Sequence, residues 1–83
     1  FSGFNIYPNP SKGEFNLNFD VVNTEKVSIQ LFDIRGRLIG EKNFFDTNTK
    51  FSERISFNKT AAGLYLIKII NGDKQTTRKL IIE

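Results

Sequence analysis

From Glu14 to Asp20 apolar and polar residues alternate without a break: Phe15, Leu17 and Phe19 fall on one side, Asn16, Asn18 and Asp20 on the other. A period of two sends successive side chains to opposite faces of an extended chain, so this segment predicts a strand with one buried face. The pattern recurs. Val27, Ile29 and Leu31 alternate with Ser28 and Gln30, and the strand is expected to stop at Asp33-Ile34-Arg35-Gly36, where an acid and a glycine favour a tight reversal. Arg37 to Asn43 returns as the second arm of that hairpin. Phe51 to Phe57 directs Phe51, Ile55 and Phe57 inward, and Leu64 to Ile70 pairs with Gln75 to Ile82 through Asn71-Gly72-Asp73, where Asn-Gly is a strong hairpin signal. A short first strand around Asn5 to Tyr7 must end at Pro8, because Pro8 and Pro10 donate no backbone hydrogen bond and bias their predecessors to extended geometry. Pro10-Ser11-Lys12-Gly13 reads as a turn.

Seven short strands with a break every ~8 to 14 residues point to an all-β sandwich or barrel, and two antiparallel sheets packed face to face would bury the alternating Phe, Leu and Ile sets. No segment predicts a helix. Phe44, Phe45 and the stretch from Asp46 to Lys50 form the least regular connection and are expected to cross between the sheets. Size scaling gives a radius of gyration of about 12 Å. One strand departs from simple alternation. Tyr65, Ile67 and Ile69 fall on one face, but Leu64, Leu66 and Ile70 fall on the other with only Lys68 as a charge, and Leu80-Ile81-Ile82 is again apolar on both sides. A second apolar face needs cover from the same chain or is left as a docking surface, and both readings stand for Leu64, Leu66 and Ile70. The last strand is also a candidate sheet edge, where unpaired N–H and C=O groups can accept a partner strand.

Composition narrows the function classes. The 83 residues allow one small domain over residues 1–83, with nine Phe, two Tyr and 39% apolar residues to supply its core. The chain has no Cys and no His, which removes disulfides, thiolate chemistry, the usual neutral-pH general base and the commonest metal ligand together. No metal or cofactor is expected, and no enzyme. The 12 Lys and Arg against 9 Asp and Glu give +3, but the basic residues are scattered, the densest pair being Arg78-Lys79, so no phosphate-tracking stripe and no nucleic-acid partner is expected. No apolar run approaches the ~20 residues of a membrane span, so direct membrane insertion is not expected. The start at Phe1, without Met or signal peptide, reads as a piece excised from a longer chain.

The remaining chemical motifs are weak. No Ser-x-x-Lys or Gly-x-Ser-x-Gly pairing activates a serine. Asp46-Thr47-Asn48 has the oxygen ligands of a calcium loop without its later ligands, and a solvated loop is the better reading. Asn58-Lys59-Thr60 is a formal glycosylation sequon, treated as chance. The glycines at 13, 36, 63 and 72 sit at strand boundaries, too far apart for a phosphate cradle.

Taken in order, Tyr7-Pro8-Asn9-Pro10 followed by Gly13, Val27 to Phe32 leading into Asp33-Ile34-Arg35-Gly36-Arg37, then Gly63-Leu64-Tyr65, Gly72 and Lys79 resemble the type A C-terminal sorting domain of the type IX secretion system. The match spans nearly the whole chain. The resemblance implies a seven-stranded antiparallel immunoglobulin-like β-sandwich, at the C-terminus of a cargo protein of Bacteroidetes. It implies a signal that directs the cargo from the periplasm across the outer membrane to the cell surface or beyond. The implied partners are the secretion machinery: an outer-membrane shuttle or translocon, and a surface sortase that commonly removes the domain, with the cargo released or anchored.

Carried over by residue, Pro8, Asn9, Pro10 and Gly13 match the family's opening motif, read as a rigid bend into the second strand. Asp33, Gly36 and Arg37 match its central turn, where Asp33 can bond backbone groups ahead and Gly36 can supply positive φ. Gly63 and Tyr65 match the late glycine-tyrosine pair, whose Tyr can return its hydroxyl to nearby backbone as tyrosine corners do. The resemblance places recognition in the C-terminal region: Gly63, Tyr65, Gly72 and Lys79, Leu80, Ile81, Ile82 and Glu83. Thr60 stands where the family often has Leu, and Glu83 where it often has Lys. A carbohydrate-binding or adhesive β-sandwich is the alternative, disfavoured by the absence of Trp and the two Tyr. A structural linker module comes third.

Overall fold

The computed structural model describes residues 2–21, 26–45, 49–57 and 60–83. Its strands are β1 (Asn5–Tyr7), β2 (Glu14–Asp20), β3 (Val27–Asp33), β4 (Leu38–Phe44), β5 (Lys50–Ser56), β6 (Gly63–Asn71) and β7 (Lys74–Ile82). There is no helix among the described residues. Three strands in the order β1-β2-β5 face four in the order β4-β3-β6-β7, and every pairing is antiparallel. This is one of the two all-β architectures, sandwich or barrel, that the alternation predicts, and the seven-stranded immunoglobulin-like sandwich that the resemblance implies. The radius of gyration is 12.1 Å.

In β2, β3 and β5 the inward sets are those read from the period, while in β6 and β7, apolar on both faces in the sequence, the fold selects which set is buried. Phe15, Leu17, Phe19, Phe51, Ile55 and Phe57 come from one sheet side, and Val27, Ile29, Leu31, Tyr65, Ile67, Ile69, Leu80 and Ile82 from the other, all buried. Each such side chain removed from water contributes about 1.5–3 kcal/mol. Phe19 stacks on Phe51 with ring centroids 4.8 Å apart, and Phe44 meets Phe51 edge-on at 5.0 Å. Phe44 therefore belongs to β4 and packs inward. The crossover to the other sheet begins only at Phe45, which is exposed.

Two local features depart from the period. Asn71 pairs with Lys74, so the last hairpin turns on Gly72-Asp73 and Asn71 is a strand residue. It is fully buried, with its amide donating to the Lys26 carbonyl at 3.4 Å, and this tertiary contact overrides its turn preference. In the β3–β4 ladder Leu31 faces Gly40 while Phe32 faces Leu38, leaving Ile39 as an extra residue. The bulge bends β4 and leaves both Leu38 and Ile39 exposed. Next to it, a Cβ on Gly40 would lie 2.8 Å from Phe57 Cδ1. The absence of a side chain at position 40 is what lets a ring from the other sheet lie under β4.

Candidate functional site

Antiparallel pairing gathers distant motifs at one pole of the sandwich. Asp33 opposes Tyr65, Phe32 opposes Leu38 and Gly63 opposes Ile82, so the end of β3, the start of β4, the start of β6 and the end of β7 coincide. The other sheet joins them through a bridge between Ser11 and Ile82 and a bond from Phe57 N–H to the Gly13 carbonyl at 3.1 Å. Pro8, Asn9, Pro10, Gly13, Asp33, Gly36, Arg37, Gly63, Tyr65 and Leu80 through Glu83 thus meet at this pole. Lys79 lies just behind, opposite Leu66. Gly72 does not join them: it sits in the β6–β7 hairpin at the other end.

The central turn is organised by one carboxylate. Asp33 Oδ1 accepts from the N–H groups of Arg35 and Arg37, each at 2.9 Å, and Oδ2 accepts from Arg37 Nε at 2.7 Å. The Arg37 main-chain N–H, then its guanidinium, hold the Asp33 carboxyl below its ordinary 3.8. Gly36, at φ 85°, occupies the left-handed region that closes the turn, with its N–H on the Asp33 carbonyl at 3.0 Å. The acid is thereby committed to the turn, while Arg35 and Arg37 reach solvent.

Across from the turn, the buried ring of Tyr65 sends its hydroxyl to the Ala61 carbonyl at 2.6 Å, the geometry of a tyrosine corner. Thr60 Oγ1 donates to the Phe57 carbonyl at 3.1 Å, so a hydroxyl at this position satisfies a backbone acceptor near the corner. Between turn and corner runs a groove of about 420 Å³, lined by Ile34, Ile39 and Leu64 with Arg37, Ala61 and Ala62 among its walls. Of the two tyrosines, one is thus consumed by the corner, which leaves Tyr7 as the exposed one.

The last strand lies at a sheet edge, as its position predicts, but that edge is covered where β7 ends. Ser11 N–H donates to the Ile81 carbonyl at 2.8 Å and Glu83 N–H to the Ser11 carbonyl at 2.7 Å. Asn9 Nδ2 donates to the Lys79 carbonyl at 3.1 Å, and Ile81 N–H donates to Asn9 Oδ1 at 3.0 Å. The Tyr7-Pro8 and Asn9-Pro10 peptide bonds are both cis. The terminal edge is therefore not free to accept a partner strand, a correction to the sequence reading. The sequence reads Asn9 as part of a rigid bend and Ser11, which is buried, as part of a turn, but their hold on the terminal strand is not legible along the chain, because their partners lie some seventy residues away. The one hint was an amide side chain between two prolines.

Leu64, Leu66, Lys68 and Ile70 do share the outer face of β6, but they form no single patch. Leu64 is 44% exposed and opposes Ile81, and Leu66 lies between Phe32 and Lys79. Ile70 lies between Ser28 and Gln75, beyond Lys68, in a polar neighbourhood. There Gln30 and Asn43 donate to Glu41 at 2.8 and 3.1 Å, and the Gln30 amide, then that of Asn43, hold the Glu41 carboxyl below its usual range. The apolar face is thus confined to the end carrying the motifs.

Asp46, Thr47 and Asn48 of the calcium-like segment, and Asn58 and Lys59 of the sequon, lie outside the described residues. Among the described residues no three His, Cys, Asp or Glu side chains gather to hold a metal ion. A family model for a secretion system C-terminal sorting domain matches residues 5–83. An ulvan lyase of Nonlabens ulvanivorans is 30% identical over 78 residues, a stretch covering 93% of this chain and 14% of that protein.

Proposed function

The chain belongs to the secretion system C-terminal sorting domain family, whose members signal type IX secretion to the cell surface or extracellular space, and on that premise we propose that the motif-bearing pole is the surface the machinery reads. The observation that carries this reading is the groove between the central turn and the tyrosine corner, with Ile34 71%, Ile39 43% and Leu64 44% exposed along it. Exposed apolar area of this kind on a small domain marks an interaction surface. Arg35 and Arg37 stand at the turn that borders it, while the nearby Asp33 carboxylate is already held by three N–H groups. The complementary partner is a protein surface of the secretion machinery, apolar at its centre and acidic at its rim.

Residues 1–83 act as a single C-terminal sorting domain of a larger cargo protein, which passes through the periplasm before crossing the outer membrane. An outer-membrane shuttle or the translocon takes up the pole, and a surface sortase then removes the domain. Gly63, Tyr65 and Lys79 through Glu83 contribute as parts of the pole, Leu64 and Leu66 as its apolar docking face. Gly72 shapes the far hairpin and acts at a distance from it.

Truncation before Lys79 is a poor test, since it strips buried Leu80 and Ile82 from the core. A surface exchange is cleaner. A periplasm-targeted fluorescent reporter fused to residues 1–83 is expected to leave cells that carry the type IX system. The Leu64→Lys fusion should be retained with an unchanged melting curve, and Lys68→Glu, on the same face but away from the groove, should still be exported. Export of Leu64→Lys at the wild-type level would dismiss the groove as the docking site.

A further inference from the structure

An edge strand presents the N–H and C=O of every second residue, an open template for another strand. On β7 the outward row includes the Lys79 carbonyl, both main-chain groups of Ile81 and the Glu83 N–H, and each of these is taken by Asn9 or Ser11. The two residues do this differently. Ser11 uses its own main chain, donating to Ile81 and accepting from Glu83 as a strand residue would. Pro8 and Pro10 have no N–H to offer, so the main chain just before Ser11 cannot continue the ladder as a donor. The Asn9 carboxamide supplies the missing rung. It has one donor group and one acceptor, on a rigid plane, and it meets Lys79 and Ile81 with both. Gln is the only other side chain with the same carboxamide, and it is longer by a methylene.

The geometry points to Asn9 as a positioning residue for the terminal strand: its carboxamide stands in for a strand residue, closing the β7 edge from Lys79 to Glu83. The machinery then meets the side chains of Lys79, Ile81 and Glu83 at a closed edge and adds no strand of its own there. This rests on the reading that the terminal strand belongs to the recognised pole. It also divides β7 in two, because Gln75 and Thr77, further back in the same outward row, lie beyond the reach of the clamp.

The test is Asn9→Ala in the whole domain, read by amide hydrogen exchange and by export of the reporter fusion. Loss of the carboxamide should speed exchange of the Ile81 N–H by about tenfold, while Leu17 and Ile29 keep wild-type rates and the melt stays cooperative. Export should fall in parallel. If Ile81 exchange is unchanged, the clamp is refuted whatever happens to export. If Ile81 is freed and export is undiminished, the positioning role is refuted while the sorting function stands, since the wild-type fusion reports on that separately. Should Asn9→Ala fail to fold, Asn9→Asp is the variant to read. It keeps the size and the acceptor for Ile81 but cannot donate to Lys79 when ionised, so export must fall in a folded domain, and wild-type export would again refute the role.

Discussion

At the pole that carries Asn9, Asp33, Thr60 and Tyr65, loops are fixed by side chains bonded to main chain, whereas at the other pole Phe4, Phe19, Phe44 and Phe51 pack ring against ring. The difference separates two tasks. Ring packing removes large apolar areas from water without demanding one exact backbone path, so it supplies stability. Hydrogen bonds are directional and tolerate only a few tenths of an ångström, so they specify the shape of a loop. The pole proposed as the recognition surface is the one whose shape is specified. The polar half of the outer face, with its Gln30–Glu41–Asn43 network, lies away from it and offers no comparable apolar area.

The largest effect should come from the ring-packed pole. Phe51→Ala removes the partner of both Phe19 and Phe44 and should cost about 3–5 kcal/mol in urea titration. In the molecules that remain folded, NMR shifts of residues 33–37 should stay put; if they move, the poles are coupled and the separation above is wrong. Gly40→Ala comes next, at about 1–3 kcal/mol, because the new methyl would push into the Phe57 ring. A cost near zero in the same titration would mean that Phe57 moves aside freely.

Tyr65→Phe keeps the buried ring and deletes only the bond to Ala61, so stability should fall by about 1 kcal/mol. Export should drop more than Phe51→Ala predicts from stability alone, since the bond holds one wall of the groove; equal export per unit of folded protein would undo the contrast between shape and stability. The smallest effect is in pH. Asp33 titrates below 3.8 in the folded chain, so its stabilisation is complete above that value and is lost as pH falls through the lower folded-state value. Melting curves between neutral and strongly acidic pH should show this loss, and Asp33→Asn should flatten that part of the profile.

Much of this molecule was legible along the chain because burial of one sheet face imposes a period of two. Phe15, Leu17 and Phe19, or Val27, Ile29 and Leu31, announce both their strand and its inward side without reference to any partner. The Asp33 turn was legible for a similar reason: the residues that bond one another are within four positions, and Gly36 stands where positive φ is required. Reading failed where the decisive partner was remote. Asn71 looked like a turn residue and is held in β6 by Lys26, and Gly40 looked like an ordinary member of a returning strand until Phe57 lay beneath it.

By itself, then, the sequence determined the strands, the inward faces of those with one apolar side, and the self-contained turns, since these follow from periodicity and from bonds between near neighbours. Only the tertiary structure decided that the scattered motifs share one pole and that an apolar groove opens between turn and corner there. It also decided that Asn9 closes the edge of a strand seventy residues on. Pairing register and sheet order bring such groups together, and neither is written in any local stretch of chain.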